Sequence, residues 1–244
     1  VKNMNGVKVQ PGGAALYAAM AARTLFDDVR VVSVIGRDYM FMDVLASFGL
    51  KYIKIFNMPS TRFEIHYDDR WEAKYVRASY GAGSRVSASI IPVEAFSPES
   101  IVHISPIHPK RAYKIVDRIK SRSPETLISL NTWIGYIRGR RNREILEDLA
   151  LKSDFFVLND SEAKALAETQ SLSTALRLLR AKVLVVTLGE IGAIISRENG
   201  EVHMIPALNF PVGKIVDTTG AGDVWCGAFL AAYKLSRDIV KAVT

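Results

Sequence analysis

Seven consecutive residues, Asp217-Thr218-Thr219-Gly220-Ala221-Gly222-Asp223, have the types and spacing that phosphate chemistry needs. They run into an apolar stretch, Val224 to Leu235, that reads as a helix starting near Ala221. Glycines at 220 and 222 let the backbone approach a ligand and turn several N–H groups the same way. Combined with the positive end of a helix, that arrangement suits an anion such as a phosphate. Asp223 closes the string. A carboxylate there can take a proton from a hydroxyl while the N–H groups stabilise a transferring phosphoryl group. The plainer alternative is a glycine-rich turn in which Asp223 only favours the helix start.

Three further stretches bear chemistry. Pro11-Gly12-Gly13-Ala14-Ala15 places two glycines before a helix that is apolar nearly all round. They suit either a ligand that approaches the backbone or tight helix packing. Asn159-Asp160-Ser161-Glu162 follows a strand, and its ends fit a helix N-cap with its capping-box partner. Thr187-Leu188-Gly189-Glu190-Ile191-Gly192 also follows a strand, where glycines either keep the strand end open or make a turn into a hairpin. No Gly-x-x-x-x-Gly-Lys-Ser/Thr string is present, which argues against a P-loop enzyme. The histidines 66, 103, 108 and 203 have no ligand spacing, and Cys226 is the one cysteine, so neither a histidine nor a cysteine metal cluster is expected.

The elements that must position these residues alternate. Strands are predicted at Val29–Ile35, Ile101–Ser105, Thr126–Leu130, Phe155–Leu158 and Val183–Thr187. Helices are predicted over 13–26, 38–48, about 109–122, 139–152 and 161–181, with a last one from about Ala221. Short apolar strands joined by helices make a parallel sheet covered on both faces. Ile191–Ser196 and Glu201–Ile205 read as a hairpin around Asn199-Gly200. Residues 61–79 differ: Phe63, Ile65 and Tyr67 alternate with Arg62, Glu64 and His66, the two-residue period of a half-exposed strand, and Glu72 to Val76 returns after a turn. This hairpin reads as a small β lid. The division is therefore a core over 1–60 and 80–244 with a lid over 61–79.

The chain has 244 residues, enough for one large domain or one with a small appendage. A lone cysteine favours a reducing, cytoplasmic setting. The longest apolar run, Ala14 to Ala22, is far short of the ~18 residues a membrane span needs, and no secretory signal is evident. The net charge of +7 suits an anionic ligand but is too diffuse to imply nucleic acid. Arg138, Arg140, Arg141 and Arg143 read as a solvated basic run rather than a nucleic-acid patch.

The string 217–223 resembles the signature of the ribokinase-like (PfkB) family of carbohydrate and nucleoside kinases. The other three stretches resemble that family's remaining motifs, in its order. The resemblance implies a three-layer α/β/α sandwich with a small β lid. It implies an ATP-dependent kinase that transfers the γ-phosphoryl group to a hydroxyl of a small polyol. Sugars lead as acceptors, with nucleosides and cyclitols close behind, and a non-catalytic nucleotide- or sugar-binding relative is the alternative of another class. Asp223 would be the base, with Gly220, Ala221 and Gly222 forming the anion hole. Gly12, Gly13 and Tyr17 would meet the substrate. Thr187, Gly189, Gly192 and Thr218 would line the nucleotide. Asn159 and Glu162 would position Mg²⁺ through its waters, since a hard cation suits one carboxylate plus an amide. The expected partners are a polyol and a nucleotide, without nucleic acid or membrane. The lid face Phe63/Ile65/Tyr67 would pair two copies into a dimer.

This sequence departs from the family in places. Relatives open with a strand before the di-glycine motif and continue past the last helix with a segment bordering adenine and a monovalent-cation site. The motif order thus predicts one strand before Val1 and a strand–helix segment after Thr244, and the cation requirement stays open. Tyr17 stands where many relatives have a sugar-binding Asn, and Asn131 where they commonly have Asp. Both changes argue against carrying over ribose specificity.

Overall fold

The computed structural model describes residues 1–3, 6–68, 73–209, 215 and 217–243. In chain order the strands and helices are β1 (Lys2–Asn3), β2 (Gly6–Val7), α1 (Ala14–Ala22), β3 (Ser33–Gly36), α2 (Met42–Ala46), β4 (Ile53–Phe56), β5 (Arg62–Tyr67), β6 (Ala73–Ser79) and β7 (Ile101–Ile104). They continue with α3 (Pro109–Arg122), β8 (Leu127–Asn131), α4 (Ile134–Ile137), α5 (Arg140–Lys152), β9 (Phe155–Asn159), α6 (Asp160–Leu166) and α7 (Leu172–Leu178). The last four are β10 (Val183–Thr187), β11 (Gly192–Arg197), β12 (Val202–Pro206) and α8 (Ala221–Ser236).

A six-stranded sheet runs in the order β12-β11-β10-β9-β8-β7. Strands β7 to β10 are mutually parallel, and β11 and β12 are antiparallel additions. Successive side chains of a strand point to opposite faces, and β9 shows what that does. Phe156 and Leu158 join one buried cluster with Ile115 and Ile119 of α3, Leu146 and Leu149 of α5 and Leu166 of α6. Phe155 and Val157 join another with Cys226, Phe229 and Leu230 of α8. Two helical layers thus cover one sheet, as in the α/β/α sandwich expected from the sequence.

Helix α1 lies against α8 at close range. A Cβ built on Gly227 would come within 2.0 Å of the Ala18 carbonyl oxygen, so only glycine allows this crossing. Strands β3 and β4 form a separate parallel pair. Each of β3 and β7 pairs on one side only among the described residues, and both line a cleft of about 1010 Å³ that continues to the start of α8. The hairpin β5–β6, read from the sequence as a lid, is joined by β1, parallel to β5, and by β2, in a four-stranded sheet. Every residue of β6 is exposed, whereas β5 buries Ile65.

Several boundaries move from the sequence expectation. The strand read at Val29–Ile35 is hydrogen-bonded only over Ser33–Gly36, the stretch paired with β4. The helix read at 38–48 is one short turn set, Met42–Ala46. The helix read at 161–181 is two. Glu168 adopts a left-handed φ of 51° after α6, and Ser171 caps α7 by accepting from the Thr174 N–H. Part of the turn expected at Asp68-Asp69-Arg70 lies outside the described residues.

Candidate active site

The parallel strands β8, β9 and β10 end side by side at Asn131, Asn159 and Thr187, with Asn159 opposite Thr187 and Asn131 opposite Val157 in register. In open α/β sheets ligands bind beyond the carboxyl ends of such strands. Helix α8 starts at the same end. Its N-cap, Gly220, has φ 79° and ψ 5°, a left-handed conformation that favours glycine. A side chain there would also collide with the Tyr17 ring, which a Cβ would approach to 2.4 Å. Thr218 accepts from the Ala221 N–H at 3.1 Å, and the first i→i−4 bond runs from Val224 to Gly220 at 2.8 Å. The Gly222 and Asp223 N–H groups precede that bond and have no acceptor within the helix. The Ala221 N–H is taken up by the Thr218 carbonyl, which leaves the Gly222 and Asp223 N–H groups open at the helix start.

Asp223 is half-buried, and burial pushes its carboxyl up to about 6. The Asn131 side-chain amide opposes that shift by donating to Asp223 Oδ1 at 3.2 Å. Asp217 organises the loop before it, accepting from the Thr219 N–H at 2.8 Å and from Gln10 Nε2 at 3.3 Å. Gln10 also reaches the Tyr17 hydroxyl at 3.3 Å, and that hydroxyl donates to the Pro11 carbonyl at 3.0 Å. The di-glycine segment and the signature loop are therefore one hydrogen-bonded unit, although they lie two hundred residues apart.

Asn159 and Glu162 do form a capping box. Asn159 Oδ1 accepts from the Glu162 N–H at 2.8 Å, and Glu162 Oε2 from the Asn159 N–H at 2.9 Å. The box buries Glu162, which is 8% exposed. Burial, with the charge of Asp223 nearby, pushes its carboxyl up to about 7. Among the described residues no lysine or arginine pairs with it. A buried carboxylate without a cation suits a divalent ion brought in with phosphates, and the residues fit Mg²⁺ in that sense. Among the described residues no three His, Cys, Asp or Glu side chains form a cage for a metal.

The cleft brings together Gly12, Gly13, Tyr17, Asn159, Glu162, Thr187, Thr218 and residues 220–223. It does not include Gly189 or Gly192 in its wall. Gly192 has a packing reason instead: with φ 124°, a Cβ there would sit 1.9 Å from the Ile205 carbonyl oxygen of β12. The Thr187 hydroxyl bonds to the Leu158 carbonyl at 3.4 Å. Cys226 is fully buried beside Ser129 and His103, and burial pushes its thiol up to about 12.

Other cleft residues carried no clear sequence signal. Tyr75 of the lid and Trp133 meet edge-on with ring centroids 5.2 Å apart. Phe63 lies 6.2 Å from Trp133, which lies 5.4 Å from Tyr136. These rings, with Tyr80, make an aromatic wall from the lid to the loop after β8. Within the Phe63/Ile65/Tyr67 face of the hairpin, Ile65 is buried and Tyr67 accepts from the Thr219 hydroxyl at 3.0 Å, while Phe63 stays exposed. The basic run also has partners, Arg140 with Glu144 and Arg143 with Glu168.

This combination of a two-sided parallel sheet, a helix-start anion site and a carboxylate beside it defines a phosphoryl-transfer enzyme of the α/β class. The chain matches the model of the pfkB family of carbohydrate kinases over residues 1–244 and belongs to that family, as a phosphotransferase with a hydroxyl acceptor. It is 28% identical over 240 residues to a cytidine kinase of Thermococcus kodakarensis, covering 96% of this chain and 84% of that one. It is 24% identical over 235 residues to a nucleoside kinase of Methanocaldococcus jannaschii, covering 94% and 74%. Among solved structures, the ribokinase of Thermotoga maritima superimposes with a TM-score of 0.77 at 22% identity, covering 97% of this chain and 78% of that one. A Burkholderia thailandensis nucleoside kinase in complex with inosine gives 0.73 at 20%, covering 95% and 76%. No helix among the described residues is long and apolar enough to cross a membrane.

Proposed function

We propose that this chain phosphorylates the primary hydroxyl of a nucleoside, with ATP as donor and Asp223 as the base. The observation that carries the acceptor class is the aromatic wall. Tyr75 lines the same cleft as Asp223, and Trp133, Phe63, Tyr80 and Tyr136 continue from it. Flat rings at one end of a cleft suit a planar base, through stacking and edge-to-face contact. A free sugar can stack only its C–H face on one ring, whereas a base adds a second flat surface for the others. The similarity to a cytidine kinase over nearly the whole chain supports the same reading.

In the reaction, ionised Asp223 takes the proton of the acceptor hydroxyl. The oxygen bonds to the γ-phosphorus, the bond from that phosphorus to the β,γ-bridging oxygen breaks, and ADP leaves. The N–H groups at the start of α8 lie where charge gathers on the transferring group. Glu162, with Asn159 holding it, would help seat Mg²⁺, which neutralises phosphate charge when bound. The lid shields the cleft from water, which limits hydrolysis of ATP.

A panel of cytidine, inosine, adenosine, ribose, deoxyribose, fructose and myo-inositol with ATP and Mg²⁺ tests the reading. A nucleoside is expected to exceed free ribose in kcat/KM by ~100-fold or more, about the contribution of one well-packed ring, ~3 kcal/mol. Preference for a free sugar would overturn the acceptor class.

A further inference from the structure

We propose that Asn131 works with both ends of its amide: its N–H holds Asp223 in place, and its carbonyl oxygen accepts a second hydroxyl of the acceptor. This rests on the phosphotransferase reading above and adds a positioning and recognition residue to it.

Asn131 is the last residue of β8, held by the parallel ladder to β9 at Val157. Its Nδ2 donates to Asp223 Oδ1 at 3.2 Å. An ionised carboxylate only accepts, so the orientation of the amide follows from its partner. The bond leaves Asp223 Oδ2 for the reacting hydroxyl. The other end of the amide is different. Asn131 Oδ1 is buried and has no hydrogen-bond partner among the described residues. Buried acceptors are nearly always satisfied in folded proteins, and one left open at a cleft calls for a ligand donor. Asn131 lines the same cleft as Tyr17 and Asp223. A group this close to the base meets the hydroxyl nearest the reacting one. On a nucleoside phosphorylated at its 5′ position, that is the 3′-hydroxyl.

The side-chain types at this position can be told apart. Aspartate keeps an acceptor oxygen but loses the donor and faces Asp223 with like charge. Leucine keeps the volume and loses both functions. The carbonyl thus reports in KM and the N–H in kcat.

The test uses Asn131→Asp and Asn131→Leu in the full chain, with cytidine and 3′-deoxycytidine as acceptors. Asn131→Asp is expected to lower kcat ~10-fold or more while leaving the cytidine KM within ~3-fold. Asn131→Leu is expected to lower kcat similarly, raise KM ~5- to 20-fold, and abolish the preference of the wild type for cytidine over 3′-deoxycytidine. Equal effects of the two variants on both constants, or an unchanged preference in Asn131→Leu, would overturn the proposal. If the wild type instead uses a free sugar, the same comparison with that sugar and its deoxy analogue decides it, and only the nucleoside reading fails. The contact itself is read without turnover. The Asn131 side-chain amide resonances are expected to move to those of a solvated amide in Asp223→Ala, and resonances that stay in place would equally overturn it.

Discussion

The Thr219 hydroxyl donates to the Tyr67 phenol oxygen across 3.0 Å, and this bond ties the lid to the loop that precedes Asp223. The same loop is held from the other side by Gln10 on Asp217. Lid position and the geometry at the start of α8 are therefore coupled through one hydroxyl.

Tyr67→Phe removes the acceptor and keeps the ring. One neutral hydrogen bond contributes ~0.5–1.5 kcal/mol, so kcat/KM for the acceptor is expected to fall ~2- to 10-fold. A looser lid admits water, so ADP release without acceptor phosphorylation should rise. Assays with and without acceptor read both. Unchanged coupling between ADP release and product would show that the bond does not set lid closure.

Glu162→Gln keeps an oxygen for the Asn159 N–H and removes the buried charge. The capping box is expected to survive, with the unfolding midpoint unchanged or raised. The Mg²⁺ concentration for half-maximal rate is expected to rise ~10-fold, the scale of one lost carboxylate interaction. An unchanged Mg²⁺ dependence would leave Glu162 with its capping role only.

The pH dependence has two opposed parts. Asp223 is raised to about 6 and Glu162 to about 7, both above their unfolded values. Between the unfolded and folded values the native state holds more protons, so the contribution of these groups to stability falls as pH rises through that window. With Asp223 as the proposed base, only its ionised form takes the proton, so kcat/KM is expected to fall as pH drops through about 6. Asp223→Asn should accordingly stabilise the fold more at pH 8 than at pH 4, by a difference of about 1–3 kcal/mol, read by urea unfolding. An equal effect at both pH values would contradict a raised Asp223.

Gly227→Ala tests the scaffold. The new methyl meets the Ala18 backbone oxygen, so α1 and α8 must separate. Overpacking of this kind costs about 1–3 kcal/mol. Because Tyr17 of α1 packs on Gly220 of α8, the acceptor KM is expected to rise as well. Wild-type stability would show that the crossing has slack.

Much of this architecture was legible in the residues. The apolar strands at 155–158 and 183–187 and the helix at 109–122 carry unbroken patterns, and the structure keeps them nearly to the residue. The helix read over 161–181 broke because Ser171 offers a cap that hydrophobic spacing does not reveal. The Asp223 and Asn159–Glu162 motifs were visible because their chemistry is local in sequence. The aromatic wall was not, since Tyr75, Trp133 and Tyr136 meet only when the lid folds over the loop after β8. Asn131 stood out as an unusual strand end, but its bond to Asp223 spans 92 residues, and only the sheet brings the two together.

Asp223 is the proposed acceptor of the substrate proton. Single-turnover and steady-state rates of Asp223→Asn, beside ATP binding by calorimetry, test it most directly. A fall in kcat of ~10²- to 10⁴-fold, the range of general-base catalysis, is expected, with the ATP Kd within ~3-fold of wild type. A kcat within ~10-fold of wild type would contradict it.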